Sequence, residues 1–345
     1  TYQTVFKILL PVLPYREPQI LKNYDELVFE FKRNNISKCL LVTDAGLNKL
    51  GLTKALEDSL KQNDIDVFVY DGTVPNPTTT NVDDGLKIYK ENNCQALIGF
   101  GGGSPMDCAK AIGARLACPN KTLGQMKGVL KVKKKLPPLV AIPTTAGTGS
   151  ETTLAAVITD AKTRHKYAIN DFPLIPKYAI LDANLTVGLP QKVTSTTGMD
   201  ALTHAVEAYI GKSTTKRTRE CSKQAVKLIF ENLEKAYTDG TDITARQNML
   251  HASYLAGLAF TKSYVGYVHA IAHSLGGKYN TPHGLANAVI LPVMLKRYGK
   301  SVYKKLYQLG VYAGLFECNI SYCDGAKLFI KKIENMNKFM NIPSH

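Results

Sequence analysis

The order of apolar runs and helical periods in the first half of the sequence constrains its fold most strongly. Short apolar runs typical of buried strands occur at residues 39–44, 67–71, 96–100, 139–142 and 178–182, and helical periods cover 45–62, 81–92 and 106–116. Residues 155–159 and 166–169 are expected to pair as a hairpin. Strands that alternate with helices indicate a mainly parallel sheet, so we predict an α/β domain here.

The pattern changes after Gly188-Leu189-Pro190, where strand signals disappear and helical periods continue to the end. A chain of 345 residues also exceeds what one ordinary core accommodates. We therefore predict two domains, a dinucleotide-binding α/β domain over residues 1–188 and an all-α domain over residues 189–345.

Two glycine-containing loops in the predicted α/β domain have the features of phosphate-binding loops. Gly101-Gly102-Gly103-Ser104-Pro105 follows a strand and precedes a helix, so its glycines allow close backbone approach and the helix start offers free N–H groups. The segment is not a full GxGxxG motif, because Ser104 stands where the third glycine belongs. A second loop, residues 144–150, also follows a strand and is rich in Thr and Gly. Two such loops favour a dinucleotide, although a tight turn without a ligand explains either loop alone.

Asp44 ends the first predicted strand, CLLVTD, beside this expected nucleotide site. An acidic side chain at that position can bind the ribose hydroxyls of an adenosine and repel a 2′-phosphate. It can equally serve as the N-cap of the following helix. The residues alone leave both interpretations open.

Asp200 and His204 in GMDALTHAVEAY (198–209) are four residues apart, which places both side chains on one face of a helix. The rest of that face is apolar, so both side chains are expected to point inward. A buried charge there requires a partner, and a metal ion is one such partner.

Three of the seven histidines lie in the stretch GYVHAIAHSLGGKYNTPHG (266–284), at His269, His273 and His283. Two of these imidazoles, together with Asp200 and His204, would form a four-ligand nitrogen and oxygen set. Such a set suits Zn²⁺ or Fe²⁺ and does not suit Ca²⁺ or Mg²⁺. Spacing alone does not choose between His269 and His273, and a lone histidine is more often structural.

Composition narrows the classes of partner and compartment. The net charge of +15 favours an anionic ligand, but no nucleic-acid motif accompanies it and its lysines are spread, apart from the run KVKKK (131–135). We therefore expect no nucleic acid as a partner.

There is no apolar run of about 18 residues, so no membrane span is predicted. Pro11 and Pro14 interrupt the first apolar run, so we expect no signal peptide. Seven scattered cysteines without a CxxC motif indicate reduced thiols and a cytoplasmic protein.

Five stretches carry a resemblance to a known family. They are VYDGTVPNPT (69–78), GGGSPMDCAKAIG (101–113), PTTAGTGSE (143–151), GMDALTHAVEAY (198–209) and VHAIAHSLGGKYNTPHGLANAVILP (268–292). Through them the sequence resembles the iron-containing (group III) alcohol dehydrogenases, especially bacterial NAD(H)-linked short-chain alcohol and butanol dehydrogenases. The resemblance covers essentially the whole chain.

The resemblance implies a fold, a reaction and a set of residues. The fold is a Rossmann-like α/β domain followed by an all-α domain, as in dehydroquinate synthase, with NAD and a metal in the cleft between them. The metal ligands are Asp200, His204, His269 and His283, and His273 is the non-ligand histidine near the nicotinamide, which we consider a catalytic proton carrier. The cofactor positions are Asp44, Asn76, Gly102, Gly103, Ser104, Asp107, Thr144, Thr145 and Lys166.

The implied activity is reversible hydride transfer between NAD(H) and a primary alcohol or aldehyde, with Fe²⁺ or alternatively Zn²⁺. We also expect a homodimer or larger homo-oligomer. Chains of this family usually continue beyond the point where this sequence stops, so we expect a C-terminus shorter than the family norm. The alternatives are a glycerol-type polyol dehydrogenase or a sugar-phosphate cyclase of the same superfold, or a nucleotide-binding module that is no longer catalytic.

Overall fold

The computed structural model describes residues 14–279 and 281–344. Contacts divide this part of the chain into two compact units. The α/β unit runs over Pro14–Thr144 and Ser150–Leu185, and the helical unit contains Thr145–Gly149 and the chain from Thr186 onward. Residues 1–13, 280 and 345 of the two predicted domains lie outside the described residues. The functional division at residue 188 stays a prediction.

A six-stranded sheet with every neighbouring pair parallel forms the centre of the α/β unit, as the alternating pattern predicts. The strands of the unit are β1 Gln19–Leu21, β2 Lys38–Val42, β3 Asp66–Tyr70, β4 Ala96–Gly101, β5 Gly128–Val129, β6 Leu139–Pro143, β7 Ala155–Thr159, β8 Lys166–Asn170 and β9 Tyr178–Ile180. The six-stranded sheet has the order β1-β9-β6-β4-β2-β3, and a smaller sheet has the order β5-β8-β7. The antiparallel pairing of β7 with β8 confirms the predicted hairpin.

Alternate residues of the central strands enter two separate cores, one on each face of the large sheet. On β2, Leu40 and Val42 pack into one core, whereas Cys39 and Leu41 pack into the other. This is the two-residue period of a strand that is buried on both faces. The large sheet is therefore covered on both sides, which explains why its strands appear in the sequence as continuous apolar runs.

Helices connect these strands and cover the sheet. In the α/β unit they are α1 Tyr24–Arg33, α2 Ala45–Lys49, α3 Lys54–Lys61, α4 Thr79–Glu91, α5 Gly103–Ala117 and α6 Leu123–Met126. The prediction of one helix over 45–62 is wrong, because α2 ends before Gly51 and α3 begins after it. Gly51 has φ +70°, a left-handed conformation that interrupts an α-helix and that glycine adopts without strain.

The chain from Gln191 onward is helical, which confirms the predicted all-α region. Its helices are α7 Gln191–Ile210, α8 Lys216–Thr238, α9 Ile243–Ser263, α10 Tyr267–Tyr279, α11 His283–Tyr298, α12 Tyr303–Tyr312 and α13 Tyr322–Phe339. Helix α7 is buried over most of its length, and α8, α9 and α11 pack around it. A Cβ atom at Gly198 of α7 would lie 2.3 Å from Leu233 Cδ1 of α8, so the Leu233 side chain would have to move if any other residue stood there. No helix of the described chain has the length and apolar character to cross a membrane.

Candidate metal and nucleotide sites

The carboxylate of Asp200 lies at the centre of a histidine cluster in the helical unit. The distances from Asp200 Oδ1 to the Nε2 atoms of His269 and His283 are 3.6 Å each, and the distance to His204 Nε2 is 4.0 Å. Helix α7 supplies Asp200 and His204 one turn apart, whereas α10 supplies His269 and α11 begins at His283. Three helices therefore direct imidazole nitrogens at one oxygen atom.

The members of the cluster differ in how closely they converge. Ligand atoms of Asp200, His269 and His283 all lie within 4.8 Å of one another. His204 is not among these three, but its ring stacks on that of His269 with a centroid distance of 4.5 Å. The ring of Phe260 also stacks on that of His204, with a centroid distance of 4.1 Å. The His204 ring is thus held between two rings with Nε2 towards Asp200.

His273 lies one helical turn beyond His269 on α10 and does not belong to this group. It is exposed, and its ring centroid is 6.3 Å from that of His269 and 4.9 Å from that of His283. The sequence spacing left His269 and His273 as equal candidates for the third ligand. In the structure, only His269 brings a ring nitrogen close to Asp200.

The electrostatics of the cluster favour an ionised Asp200, a neutral His204 and a protonated His269. Burial alone would raise the pKa of Asp200, but the surrounding imidazoles lower that pKa overall. Burial lowers the pKa of His204 to about 3, against the opposing attraction of Asp200. Burial also disfavours a charged His269, yet its contacts with Asp200 and Glu207 raise its pKa to about 9.

Asn287 and Glu207 contact the cluster, and sequence reasoning missed both. Asn287 Nδ2 lies 2.6 Å from Asp200 Oδ1 and 3.1 Å from His283 Nε2. Glu207 Oε2 lies 2.7 Å from His269 Nδ1. Both residues carry a signal in the sequence, because Asn287 follows His283 by one helical turn and Glu207 follows Asp200 by two.

The donor set of this cluster fits an iron or zinc ion. It offers one carboxylate and imidazole nitrogens, which are the donors that these metals accept, and not the all-oxygen set of Ca²⁺ or Mg²⁺. His269 Nε2 is buried and has no hydrogen-bond partner within the described chain. A buried imidazole nitrogen aimed at a carboxylate without a hydrogen bond is the expected arrangement of a ligand atom.

The predicted phosphate loop lies at the reversal point of the large sheet. The chain proceeds from β2 outward to β3 and then returns to the other side of β2 as β4. In parallel α/β sheets, ligands bind at the carboxyl ends of the strands at such a reversal. Asp44 follows β2, Gly102, Gly103 and Ser104 follow β4, and Thr144 follows β6, so these candidates share one edge of the sheet.

The loop after β4 has a backbone suited to an anion. Gly101 has φ +144°, and Gly102 is the N-cap of α5 without a side-chain capping bond. The N–H groups of the first turn of a helix have no partner within that helix. They are therefore available to a phosphate, which the dipole of the helix also favours.

Asn76, Ser104 and Lys166 come together beside this loop. The Asn76 backbone N–H donates to Ser104 Oγ at 3.2 Å, and Lys166 Nζ donates to Asn76 Oδ1 at 2.5 Å. Three candidates that are far apart in the sequence thus form one polar group within the α/β unit. Thr145 is the one cofactor candidate that belongs to the helical unit.

Asp44 and Asp107 both have structural roles within the α/β unit. Asp44 Oδ1 accepts a hydrogen bond of 3.0 Å from Leu47 N, so it caps α2, which is the simpler of the two interpretations of this residue. Asp107 Oδ1 accepts from Ser150 Oγ at 2.8 Å, and Oδ2 accepts from Val157 N at 3.0 Å.

A parallel α/β unit with a phosphate-type loop, and a helical unit with a buried metal-type cluster, together define a metal- and dinucleotide-dependent enzyme. The model of the iron-containing alcohol dehydrogenases matches residues 19–183. The model of the C-terminal part of the Fe-containing alcohol dehydrogenase family matches residues 194–345. The chain belongs to the iron-containing alcohol dehydrogenase family.

Individual relatives agree with this membership. The chain is 42% identical over 310 residues to a 1,3-propanediol dehydrogenase of Citrobacter freundii, covering 89% of this chain and 80% of the relative. It is 39% identical over 319 residues to an NAD-dependent methanol dehydrogenase of Bacillus methanolicus, covering 92% and 84%. A crystal structure of a 1,3-propanediol oxidoreductase superimposes with a TM-score of 0.92 at 38% identity, covering 96% of this chain and 88% of that chain.

These matches establish the activity class that the resemblance implied. The chain is an NAD-dependent, iron-type alcohol dehydrogenase that transfers hydride between NAD(H) and an alcohol or aldehyde. They do not favour a glycerol-type dehydrogenase or a non-catalytic nucleotide-binding module.

Proposed function

We propose that this chain interconverts small primary alcohols and aldehydes, using NAD(H) and an Fe²⁺ ion held by Asp200, His204, His269 and His283. The observation that carries the proposal is the convergence of three imidazole Nε2 atoms within 4.0 Å of Asp200 Oδ1. Relatives named for methanol and 1,3-propanediol support small substrates with a primary hydroxyl group.

The proposed NAD site comprises Asp44, Asn76, Gly102, Gly103, Ser104, Asp107, Thr144, Thr145 and Lys166. Within it, the N–H groups at the start of α5 would bind the pyrophosphate. The contact network of Asn76, Ser104 and Lys166 would hold the loop in shape. The hydride chemistry belongs to the nicotinamide, and the protein supplies binding and orientation.

The helical unit would supply the acid–base chemistry. An Fe²⁺ ion in this cluster would supply Lewis acidity, which lowers the pKa of an alcohol. Asp200 and the three histidines would hold that ion, and Phe260 keeps His204 in place by stacking. We assign His273 as the group that passes the alcohol proton onward, because it is exposed and lies next to His283.

We further propose a cytoplasmic homodimer or larger homo-oligomer that binds neither nucleic acid nor membranes. The seven cysteines are free thiols, which supports a reducing compartment. The oligomeric state rests on the family resemblance alone.

Turnover of short aldehydes tests both the function and the cofactor. We expect the iron-loaded protein to oxidise NADH when propionaldehyde or butyraldehyde is supplied, and to use NADPH less well. Asp44 is the reason for that preference, since a 2′-phosphate beside its carboxylate meets a repulsion of about 1 to 4 kcal/mol at 4 Å. The kcat/KM ratio for NADH over NADPH is the measurement.

Two substitutions separate the capping role of Asp44 from its charge. Asp44→Asn keeps a good N-cap but removes the charge, whereas Asp44→Gly weakens the cap as well. We expect both variants to reduce the NADH preference by roughly tenfold or more, and Asp44→Asn to do so with an unchanged melting temperature. A native preference for NADPH, or an Asp44→Asn protein with the native ratio, refutes the assignment of Asp44.

A further inference from the structure

We propose that Glu207 is a positioning residue that sets the tautomer and orientation of His269, and thereby the affinity of the cluster for its metal. The proposal rests on the ligand set proposed above. It concerns a residue that is outside that set and whose carboxylate contacts His269, one member of the set.

Glu207 occupies the same face of α7 as the two candidate ligands of that helix. Asp200, His204 and Glu207 are spaced i, i+4 and i+7, which aligns their side chains along one stripe. The Glu207 residue is 3% exposed. A carboxylate that is buried so fully is costly unless hydrogen bonds satisfy it.

Three donors from the start of α10 satisfy this carboxylate. Glu207 Oε2 accepts from Gly266 N at 2.8 Å, Oε1 accepts from Val268 N at 2.8 Å, and Oε2 lies 2.7 Å from His269 Nδ1. The two backbone N–H groups are among those that a helix start leaves without an internal partner. One carboxylate on α7 therefore fixes both the backbone entering α10 and the ring of His269.

The contact with His269 determines which ring nitrogen is free. An ionised carboxylate only accepts hydrogen bonds, so Nδ1 must carry the proton that it receives. In a neutral ring the lone pair is then on Nε2, which lies 3.6 Å from Asp200 Oδ1 and has no hydrogen-bond partner in the described chain. Carboxylate, histidine and metal in this order form a recurrent arrangement that orients the ring and raises its basicity.

The absence of a side chain at Gly266 is a second, independent observation that the position of the Glu207 carboxylate matters. A Cβ atom at Gly266 would lie 2.6 Å from Glu207 Oε1 and 3.1 Å from its Cδ. Glycine is therefore required for the carboxylate to reach the backbone at this point. Gly266→Ala is expected to displace the carboxylate without altering any titratable group.

The test compares metal affinity in native protein, Glu207→Gln, Glu207→Ala and Gly266→Ala. Glu207→Gln keeps an oxygen for His269 Nδ1 but lacks the charge and turns an amide N–H₂ towards a backbone donor. We expect its dissociation constant for Fe²⁺ to rise by about 10- to 100-fold, as measured anaerobically by competition with a chromophoric chelator. Glu207→Ala and Gly266→Ala are expected to weaken binding at least as much.

Two further readouts separate positioning from a general loss of stability. The visible absorption bands of the Co²⁺-loaded protein should shift in Glu207→Gln, because they report the ligand field. NADH affinity should stay native. The control is Asn232→Ala, which removes buried hydrogen bonds with Leu228 and Asn248 on α8 and α9, and should keep native metal affinity and spectrum.

The outcomes distinguish failure of the role of Glu207 from failure of the proposed metal ligand set. If the native protein binds neither Fe²⁺ nor Co²⁺, the proposed ligand set fails and the role of Glu207 fails with it. If the native protein binds metal and folded Glu207→Gln matches it in affinity and spectrum, Glu207 is only a cap for α10. Should Glu207→Ala not fold, Glu207→Gln and Gly266→Ala still decide the question.

Discussion

His204→Phe is expected to remove the metal from the protein, whereas His273→Phe is expected to retain it. His204 Nε2 lies 4.0 Å from the buried Asp200 Oδ1 and its ring is buried against that of His269, whereas His273 is exposed one helical turn beyond His269. Phenylalanine preserves the ring that stacks between Phe260 and His269 but removes both nitrogens. We expect His204→Phe to hold under about a tenth of an ion per chain and to lose at least about a thousandfold in kcat.

Metal analysis of the anaerobically purified variants, with circular dichroism as a control for folding, decides between the two histidines. His273→Phe should keep a native metal content and show a lower kcat with an altered pH profile, as expected for a proton carrier. Loss of metal from His273→Phe together with its retention in His204→Phe would reverse the assignment.

Lys110→Met is expected to destabilise the protein by about 3–5 kcal/mol, because it leaves the carboxylate of Asp107 and several buried oxygen acceptors without their donor. The Lys110 side chain is fully buried on α5, and its Nζ is 3.9 Å from Asp107 Oδ1. Lys110 Nζ donates to Ser150 and Thr153 and to the carbonyl of Ala155, at distances of 2.7–3.0 Å. Methionine keeps most of the length of the side chain but removes the Nζ donor from these acceptors.

The buried Lys110 and Glu151 side chains should each contribute a characteristic pH dependence to the free energy of unfolding. Burial lowers the pKa of Lys110 from 10.5 to about 8, so the folded state binds fewer protons than the unfolded state between those values. The contribution of Lys110 to stability must therefore rise with pH across that window. Burial also raises the pKa of Glu151 from 4.5 to about 7, so the folded state binds more protons there and the contribution of Glu151 must fall from about pH 4.5 to pH 7.

Denaturant unfolding followed by circular dichroism at a series of pH values measures both trends. The difference in stability between the native protein and Lys110→Met should change with pH between about 8 and 10.5, and that between the native protein and Glu151→Gln should change between about pH 4.5 and pH 7. Lys87→Met is the matched control, since Lys87 is exposed and pairs with Glu91 at 3.8 Å. Its effect should stay within about 0.5 kcal/mol. Equal losses of stability in Lys110→Met and Lys87→Met would contradict the stabilising role of the buried contacts of Lys110.

The sequence predicted the parallel sheet because burial on both faces leaves strands with continuous apolar runs, such as CLLV on β2. Short elements lack that signal, so β1 and β5, with three and two residues, were missed. The break between α2 and α3 was missed because Gly51 interrupts a helical period without ending it. Its left-handed φ is decided by the local turn, and a periodic pattern contains no information about it.

The spacing of residues in the sequence predicts only some members of the candidate metal cluster. The four-residue separation of Asp200 and His204 places both on one face of a helix, and that inference needs no tertiary structure. The choice between His269 and His273 depends on which turn of α10 faces α7, and this follows from packing. Glu207 and Asn287 lie at helical spacings from candidate ligands, but spacing does not show which polar side chain on such a face contacts the ligands, and this follows from the packing of three helices.

The most direct test of the account is removal and restoration of the metal. The candidate ligands lie in the helical unit, and all cofactor candidates except Thr145 lie in the α/β unit. Treatment with a chelator should therefore abolish NADH-linked aldehyde reduction but leave NADH binding close to native. The fluorescence of the reduced nicotinamide ring reports that binding directly. Added Fe²⁺ should restore activity, whereas undiminished activity with under about a tenth of an ion per chain would contradict the metal-dependent mechanism.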